Sequence, residues 1–521
     1  MDAVRHTGRV RGRRRHRTVA VLAVCALLAT ACSALHGGGS PGAARLAPAG
    51  PTHSGDAPPE RARHAAQRIV WRPCEDEPSY ECTTLRAPLD YARPEAGDIT
   101  LAVTRLRATG NASQRIGSLL YNPGGPGDSA IGGLRDLAGG FSPAMRAAYD
   151  LVAVDPRGVG ASTPLDCGTM APETGADSRP VSAGAPDFEA LDEARARTAD
   201  ACERRAGWLL PHVGTPDAAR DLDLVRALVG DDRLHYLGFS YGTYLGATYA
   251  ELFPSRVGRM VLDGAVDPAI DDYRRFLDPA HGYQVAWDAF AADCVARPGC
   301  PVGRSVEEAG RVLDALVTRL DRSPRREGKD LTVTGDDLLR TVLAALKQPA
   351  WDELRRTLGE VVSAAGGSSA LQRLSAAQEE AVADVGFTAV SCLSAALGPV
   401  FTPAQAEALL PAFRRASPQF GAYYSALLTT CAHWPVGPDR AVRAGAAPRT
   451  APILVVGTVR DPATPYSWAR SLTRFLPSAR LLTWDGDGHT AYLQPGSGCV
   501  DVTVDRYLLS GRLPPAGTVC R

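Results

Sequence analysis

Gly238-Phe239-Ser240-Tyr241-Gly242 follows directly on the apolar run Leu234-His235-Tyr236-Leu237, and Thr243 through Phe253 then reads as a helix. A strand that turns sharply into a helix puts the serine at its apex on an exposed, strained corner. Glycines on either side let neighbouring backbone approach without a Cβ clash. In a chain with 52 glycines such a pentapeptide also arises by chance, so its weight comes from the strand–turn–helix setting.

Further apolar runs lie at 117–121, 151–154, 257–262, 453–456 and 480–484, and residues 99–103 alternate with period two. Continuous apolar runs separated by helical patterns imply an α/β architecture: a mostly parallel sheet covered by helices on both faces. One connecting helix is signalled by Thr215 as cap, Pro216 at the first helical position, an apolar face of Leu222, Val225, Leu228 and Val229, and Gly230 as terminator. Between 267 and 450 the strand signals stop, and amphipathic patterns at 306–320, 336–346 and 351–362 replace them. This segment is expected to be a helical cap inserted between strands. It divides the core into residues 66–266 and 451–521.

The 521 residues are 45% hydrophobic and 22% charged, with a formal net charge of +0, which suits a large globular body. Arg5, Arg9, Arg11, Arg13, Arg14, Arg15 and Arg17 precede an apolar stretch at 18–31 that is short for a membrane span, so residues 1–31 read as an export signal. Ala29-Thr30-Ala31 fits a cleavage site, and Cys32 directly after it also fits lipid attachment. The mature chain is therefore expected to be secreted, or anchored on the outer side of the membrane through Cys32. Residues 32–65, rich in Gly, Ala, Pro and Ser, read as a flexible tether. Loss of the signal removes seven arginines and Asp2 and leaves a formal charge of about −6, which argues against a nucleic-acid partner. Ten cysteines remain, and in an exported chain an even number reads as disulfides. Short loops close most readily, which favours the neighbour pairs 74–82, 167–202, 294–300, 392–431 and 499–520. The sequence contains no C-x-x-C, H-E-x-x-H or phosphate-loop motif, and no metal or cofactor is expected.

A nucleophilic Ser240 needs a base and an acid that orients it. Of ten histidines, two leave with the signal and three lie in the tether, while His235 falls inside a strand. His212, His281 and His433 lack a strand-end setting. His489, in Asp485-Gly486-Asp487-Gly488-His489-Thr490, follows the 480–484 run and is the candidate base. Asp461, just beyond the 453–456 run, is the candidate acid; Asp263 after 257–262 is its rival, and Asp487 reads as a solvated loop residue. The order Ser–Asp–His is that of a nucleophile-elbow hydrolase. The oxyanion hole would use the backbone amides of Tyr241 and of Gly125, the latter within Asn122-Pro123-Gly124-Gly125-Pro126-Gly127 after the 117–121 strand.

N-P-G-G-P-G, D-P-R-G-V-G-A-S (155–162), G-F-S-Y-G-T, D-P-A-T-P (461–465) and G-H-T together resemble the α/β-hydrolase serine exopeptidases. The likeness is to the exported bacterial tripeptidyl aminopeptidases, relatives of proline iminopeptidases. It covers nearly everything after the tether, including the tail 500–520. It implies an α/β-hydrolase fold, the roles already given to Ser240, Asp461 and His489, and short peptides as substrates. One departure stands out: the resemblance implies an acidic residue two positions after Cys392, and Ser394 stands there. If that acid binds a free α-amino group, strict aminopeptidase specificity does not carry over. A carboxylesterase or lipase on the same fold is the competing reading, and a non-catalytic cell-surface binding protein is the reading from another class.

Overall fold

The apolar runs become the inner strands of a ten-stranded sheet. The computed structural model describes residues 63–168, 186–327, 331–349, 351–363, 385–394, 400–438 and 450–521. The export signal, Cys32 and most of the tether lie outside them. The strands in chain order are β1 (Arg72–Pro73), β2 (Glu81–Pro88), β3 (Asp98–Leu106), β4 (Gly117–Asn122), β5 (Tyr149–Val154), β6 (Leu234–Phe239) and β7 (Val257–Asp263). A separate antiparallel hairpin, β8 (Arg325–Glu327) and β9 (Leu331–Val333), follows in the insertion. The sheet resumes with β10 (Ile453–Arg460), β11 (Ala479–Asp487) and β12 (Val519–Cys520).

Spatial order is β1-β2-β3-β5-β4-β6-β7-β10-β11-β12. The pairs from β5–β4 through β11–β12 are parallel, and β1–β2, β2–β3 and β3–β5 are antiparallel. Every residue of β4 and β5 is buried, as expected of parallel strands covered on both sides. Alternate residues enter opposite cores: Leu120, Val152, Ile453 and Val455 pack with Leu222, Val225 and Leu472, whereas Leu119, Leu151, Leu454 and Val456 pack with Leu134, Met145 and Val504.

Three local readings change. His64, placed in the tether, is 3% exposed and its Nε2 lies 2.8 Å from Asp98 Oδ1, so the folded body starts before residue 66. The helix Thr215–Leu228 is capped by Gly214, not Thr215. Thr215 Oγ1 instead lies 2.7 Å from Tyr241 Oη and 2.8 Å from Ser394 Oγ, long-range partners that outweigh the local cap. β2 carried no continuous apolar run, because only Leu85, Ala87 and Pro88 of its eight residues are buried.

Between β7 and β10 the described chain is helical apart from the hairpin: Asp272–Val295, Val306–Arg322, Gly335–Leu346, Asp352–Val362, Val385–Leu393, Pro403–Ala416 and Gly421–Ala426. It has its own core, with Trp287, Phe290, Leu313, Leu339, Leu343, Leu358 and Phe420 packed together. All five disulfides join the neighbour pairs expected from the sequence: Cys74–Cys82, Cys167–Cys202, Cys294–Cys300, Cys392–Cys431 and Cys499–Cys520.

Candidate active site

β6 ends at Phe239 and the helix Tyr241–Leu252 begins one residue later, leaving Ser240 alone in the turn at φ 52°, ψ −123°. A non-glycine residue in this region is strained and persists only where its surroundings hold it. The surroundings here are close: a Cβ at Gly238 would fall 2.5 Å from the Gly242 carbonyl oxygen, and one at Gly242 would fall 2.8 Å from Asn122 Oδ1. The turn is held by Ser240 N–H donating to the Asp263 carbonyl at 2.9 Å.

Asn122 ends β4 and its Oδ1 accepts from Gly124 N–H at 3.1 Å, curling the glycine loop back over the nucleophile turn. A Cβ on Gly124 would lie 2.8 Å from Ser240 Cβ and 3.2 Å from Tyr241 N. The loop that carries Gly125 and the first amide of the Ser240 helix thus border the same spot. Asp155, after β5, braces this loop: its Oδ1 accepts from Ser129 Oγ (2.7 Å) and Ile131 N–H (3.1 Å), and its Oδ2 from Ala161 N–H (3.0 Å). Arg157, fully buried, pairs with both oxygens of Asp221 and donates to the carbonyls of Pro88, Leu89 and His212. The Asp155–Ser162 motif is therefore structural, joining the glycine loop to the antiparallel edge.

His489 follows β11, and its Nδ1 lies 2.9 and 3.1 Å from the two Asp461 carboxylate oxygens. Asp461, 2% exposed, follows β10 and accepts in addition from Ala463 N–H (2.9 Å), Thr464 N–H (2.9 Å) and Thr464 Oγ1 (3.0 Å). Thr464 Oγ1 also lies 3.3 Å from His489 Nδ1. The imidazole is thus held at Nδ1, which leaves Nε2 as the atom for proton exchange. Asp263 does not touch the imidazole: its carboxylate accepts from Ala491 N–H (2.9 Å) and Tyr492 N–H (2.7 Å). Asp487 pairs with Arg460. Other histidines are engaged elsewhere: His64 with Asp98, His433 with Asp192, and His235 Nδ1 with Arg259 N–H. Burial pushes the His235 imidazole down to about 4, in keeping with a neutral core residue. Among the described residues no hydrogen bond joins Ser240 Oγ to the imidazole.

The insertion touches each of the three site loops through their backbones. His489 N–H donates to the Lys347 carbonyl at 2.7 Å. A Cβ at Gly282, inside the helix Asp272–Val295, would fall 2.6 Å from the Pro462 carbonyl oxygen, next to Asp461. A Cβ at Gly127 in the glycine loop would fall 2.7 Å from Phe387 N. Thr464 and the Lys347 carbonyl had no role in the sequence reading, and Asp263 entered it only as the rival acid; their contacts with the His489 loop are made by the tertiary fold.

Residues 417–520 match a family model described as TAP-like protein. The chain is 35% identical over 494 residues to the Mycobacterium tuberculosis serine protease Hip1, covering 88% of this chain and 93% of that one. The chain belongs to the TAP-like family of α/β-hydrolases. Within it, the Streptomyces lividans tripeptidyl aminopeptidase is 32% identical over 494 residues, covering 88% of both chains. The Mycobacterium tuberculosis carboxylesterase B is 34% identical over 463 residues, covering 84% of this chain and 86% of that one. As a member of this family the chain is a serine hydrolase of peptidase type. Its five disulfides fit an oxidising, extracellular setting, and no helix among the described residues is long and apolar enough to cross a membrane.

Proposed function

We propose that this TAP-like hydrolase is an exported exopeptidase that releases short N-terminal peptides through an acyl-enzyme, with Ser240, His489 and Asp461 as its catalytic triad. The observation that carries the reading is the strained Ser240 turn together with an imidazole fixed at Nδ1 by a buried carboxylate. Ser240 Oγ attacks the scissile carbonyl as His489 Nε2 takes its proton. Asp461 holds the tautomer and stabilises the imidazolium. The amides of Tyr241 and Gly125 receive the oxyanion, and such donors are each worth about 3–4 kcal/mol of barrier. His489 then protonates the leaving amine, whose departure leaves an ester on Ser240. Water, deprotonated by the same imidazole, hydrolyses that ester and restores the enzyme.

The names of the serine protease and tripeptidyl aminopeptidase relatives support peptides as substrates. The carboxylesterase relative supports a second reading, in which esters are the physiological substrates. Relative kcat/KM on tripeptide anilides and p-nitrophenyl esters separates the two. Ser240→Ala is expected to abolish anilide turnover and fluorophosphonate labelling while leaving the thermal transition within a few degrees of wild type. Retained turnover would refute the nucleophile assignment.

A further inference from the structure

Asp263 closes β7, is fully buried, and bonds to both halves of the candidate site. Its carbonyl accepts the Ser240 N–H at 2.9 Å, on the nucleophile side. Its carboxylate accepts from Ala491 N–H (3.1 Å to Oδ1, 2.9 Å to Oδ2) and Tyr492 N–H (2.7 Å to Oδ2), on the loop that carries His489. The next residue, Gly264, lies so near the base that a Cβ there would meet His489 Cε1 at 3.2 Å. One residue therefore joins the turn of the proposed nucleophile to the loop of the proposed base, two segments nearly 250 residues apart in sequence.

We infer that Asp263 is a positioning residue that sets Ser240 and His489 in register, and that it does so in its ionised form. The inference rests on the triad reading given above. A carboxylate buried without a cationic partner of its own is costly, whereas an amide at that place would keep most of the geometry. With its oxygen in the Oδ2 position, asparagine would still accept from Ala491 and Tyr492, while its NH2 would replace the Oδ1 acceptor that lies 3.1 Å from Ala491 N–H. It would lack that third contact and the charge, which strengthens both amide bonds. Two charged groups act on the Asp263 carboxylate: Asp461, from the loop after β10, disfavours its ionisation, and His489, from the loop after β11, favours it. Burial is the largest influence and pushes the group up to about 6, so the ion forms just below neutral pH.

The test compares wild type, Asp263→Asn and Asp263→Ala on a tripeptide anilide from pH 4.5 to 8.5. Asp263→Asn is expected to lower kcat about 10-fold at pH 7.5 with KM within about 2-fold, and Asp263→Ala about 100-fold or more, the scale of a misplaced base. The acidic limb of kcat/KM is expected to fall with the slope of two protons in wild type and of one in Asp263→Asn. If Asp263→Ala does not fold, the slope in the asparagine variant carries the test by itself. Wild-type kcat together with an unchanged slope in Asp263→Asn would overturn the inference, as would equal loss in both variants confined to KM. Failure of the triad reading has a different signature, namely a wild-type chain whose Ser240 does not label with a fluorophosphonate.

Discussion

Thr464 makes two contacts through one hydroxyl, to Asp461 Oδ2 at 3.0 Å and to His489 Nδ1 at 3.3 Å, while its own N–H donates to Asp461 Oδ1. Replacing it by valine keeps the shape and the backbone bond but leaves one buried carboxylate oxygen with a partner fewer. Thr464→Val is expected to lower kcat about 10-fold or more with little change in KM, on the scale of about 1.5–3 kcal/mol for a lost hydrogen bond to a charged group; steady-state kinetics check this. Asp263 carries a second consequence, for stability. A carboxyl raised from 3.8 to about 6 on folding makes the native state bind more protons than the unfolded chain between those values. Its contribution is therefore present below the unfolded value and is lost as pH rises through about 6. At pH 8 the ionised group costs on the order of 3 kcal/mol. Asp263→Asn should thus unfold at higher urea than wild type at pH 8, with the difference shrinking at pH 4.5. A variant that is more stable and less active is the pattern expected of a site held under strain for function.

At the scale of elements, Ser240, Asp461 and His489 were singled out in the sequence because each stands just beyond the C-terminal end of an apolar run, and the parallel β6, β10 and β11 end on the same side of the sheet. Asp461 was preferred there to Asp263, although both follow such runs. The choice is decided by which loop reaches the imidazole, a contact made only after β7 and β10 pair. β2 was missed because an antiparallel outer strand buries one face only and leaves no continuous apolar signature. The docking of the insertion was equally hidden, because it runs through glycines and carbonyls. Gly282→Ala tests it: the new methyl would meet the Pro462 carbonyl within a helix where alanine is otherwise the better residue. We expect kcat to fall about 10-fold or more while far-UV circular dichroism is unchanged, because the Asp461 loop must shift to make room.

At the scale of the whole fold, five disulfides among the described residues close loops of 6 to 39 residues in sequence, two of them in the insertion. Removing Cys167–Cys202 by a double alanine variant is expected to cost about 3–4 kcal/mol, read as a lowered Tm, because its 35-residue span restricts the unfolded chain. Location is tested at Cys32: Cys32→Ala should move the protein from the membrane fraction to the medium, whereas an unchanged soluble distribution would favour free secretion. The bond from His489 N–H to the Lys347 carbonyl has a bearing on how such an enzyme comes into being. The His489 loop is held by a segment that precedes it in the chain and has its own core. On the proposed reading, a nascent chain that has released Ser240 but not yet the segment around Lys347 and the His489 loop holds no assembled triad. If the triad reading holds, hydrolysis would wait on the docking of the insertion against the His489 loop, so that activity would report completed assembly of the two segments.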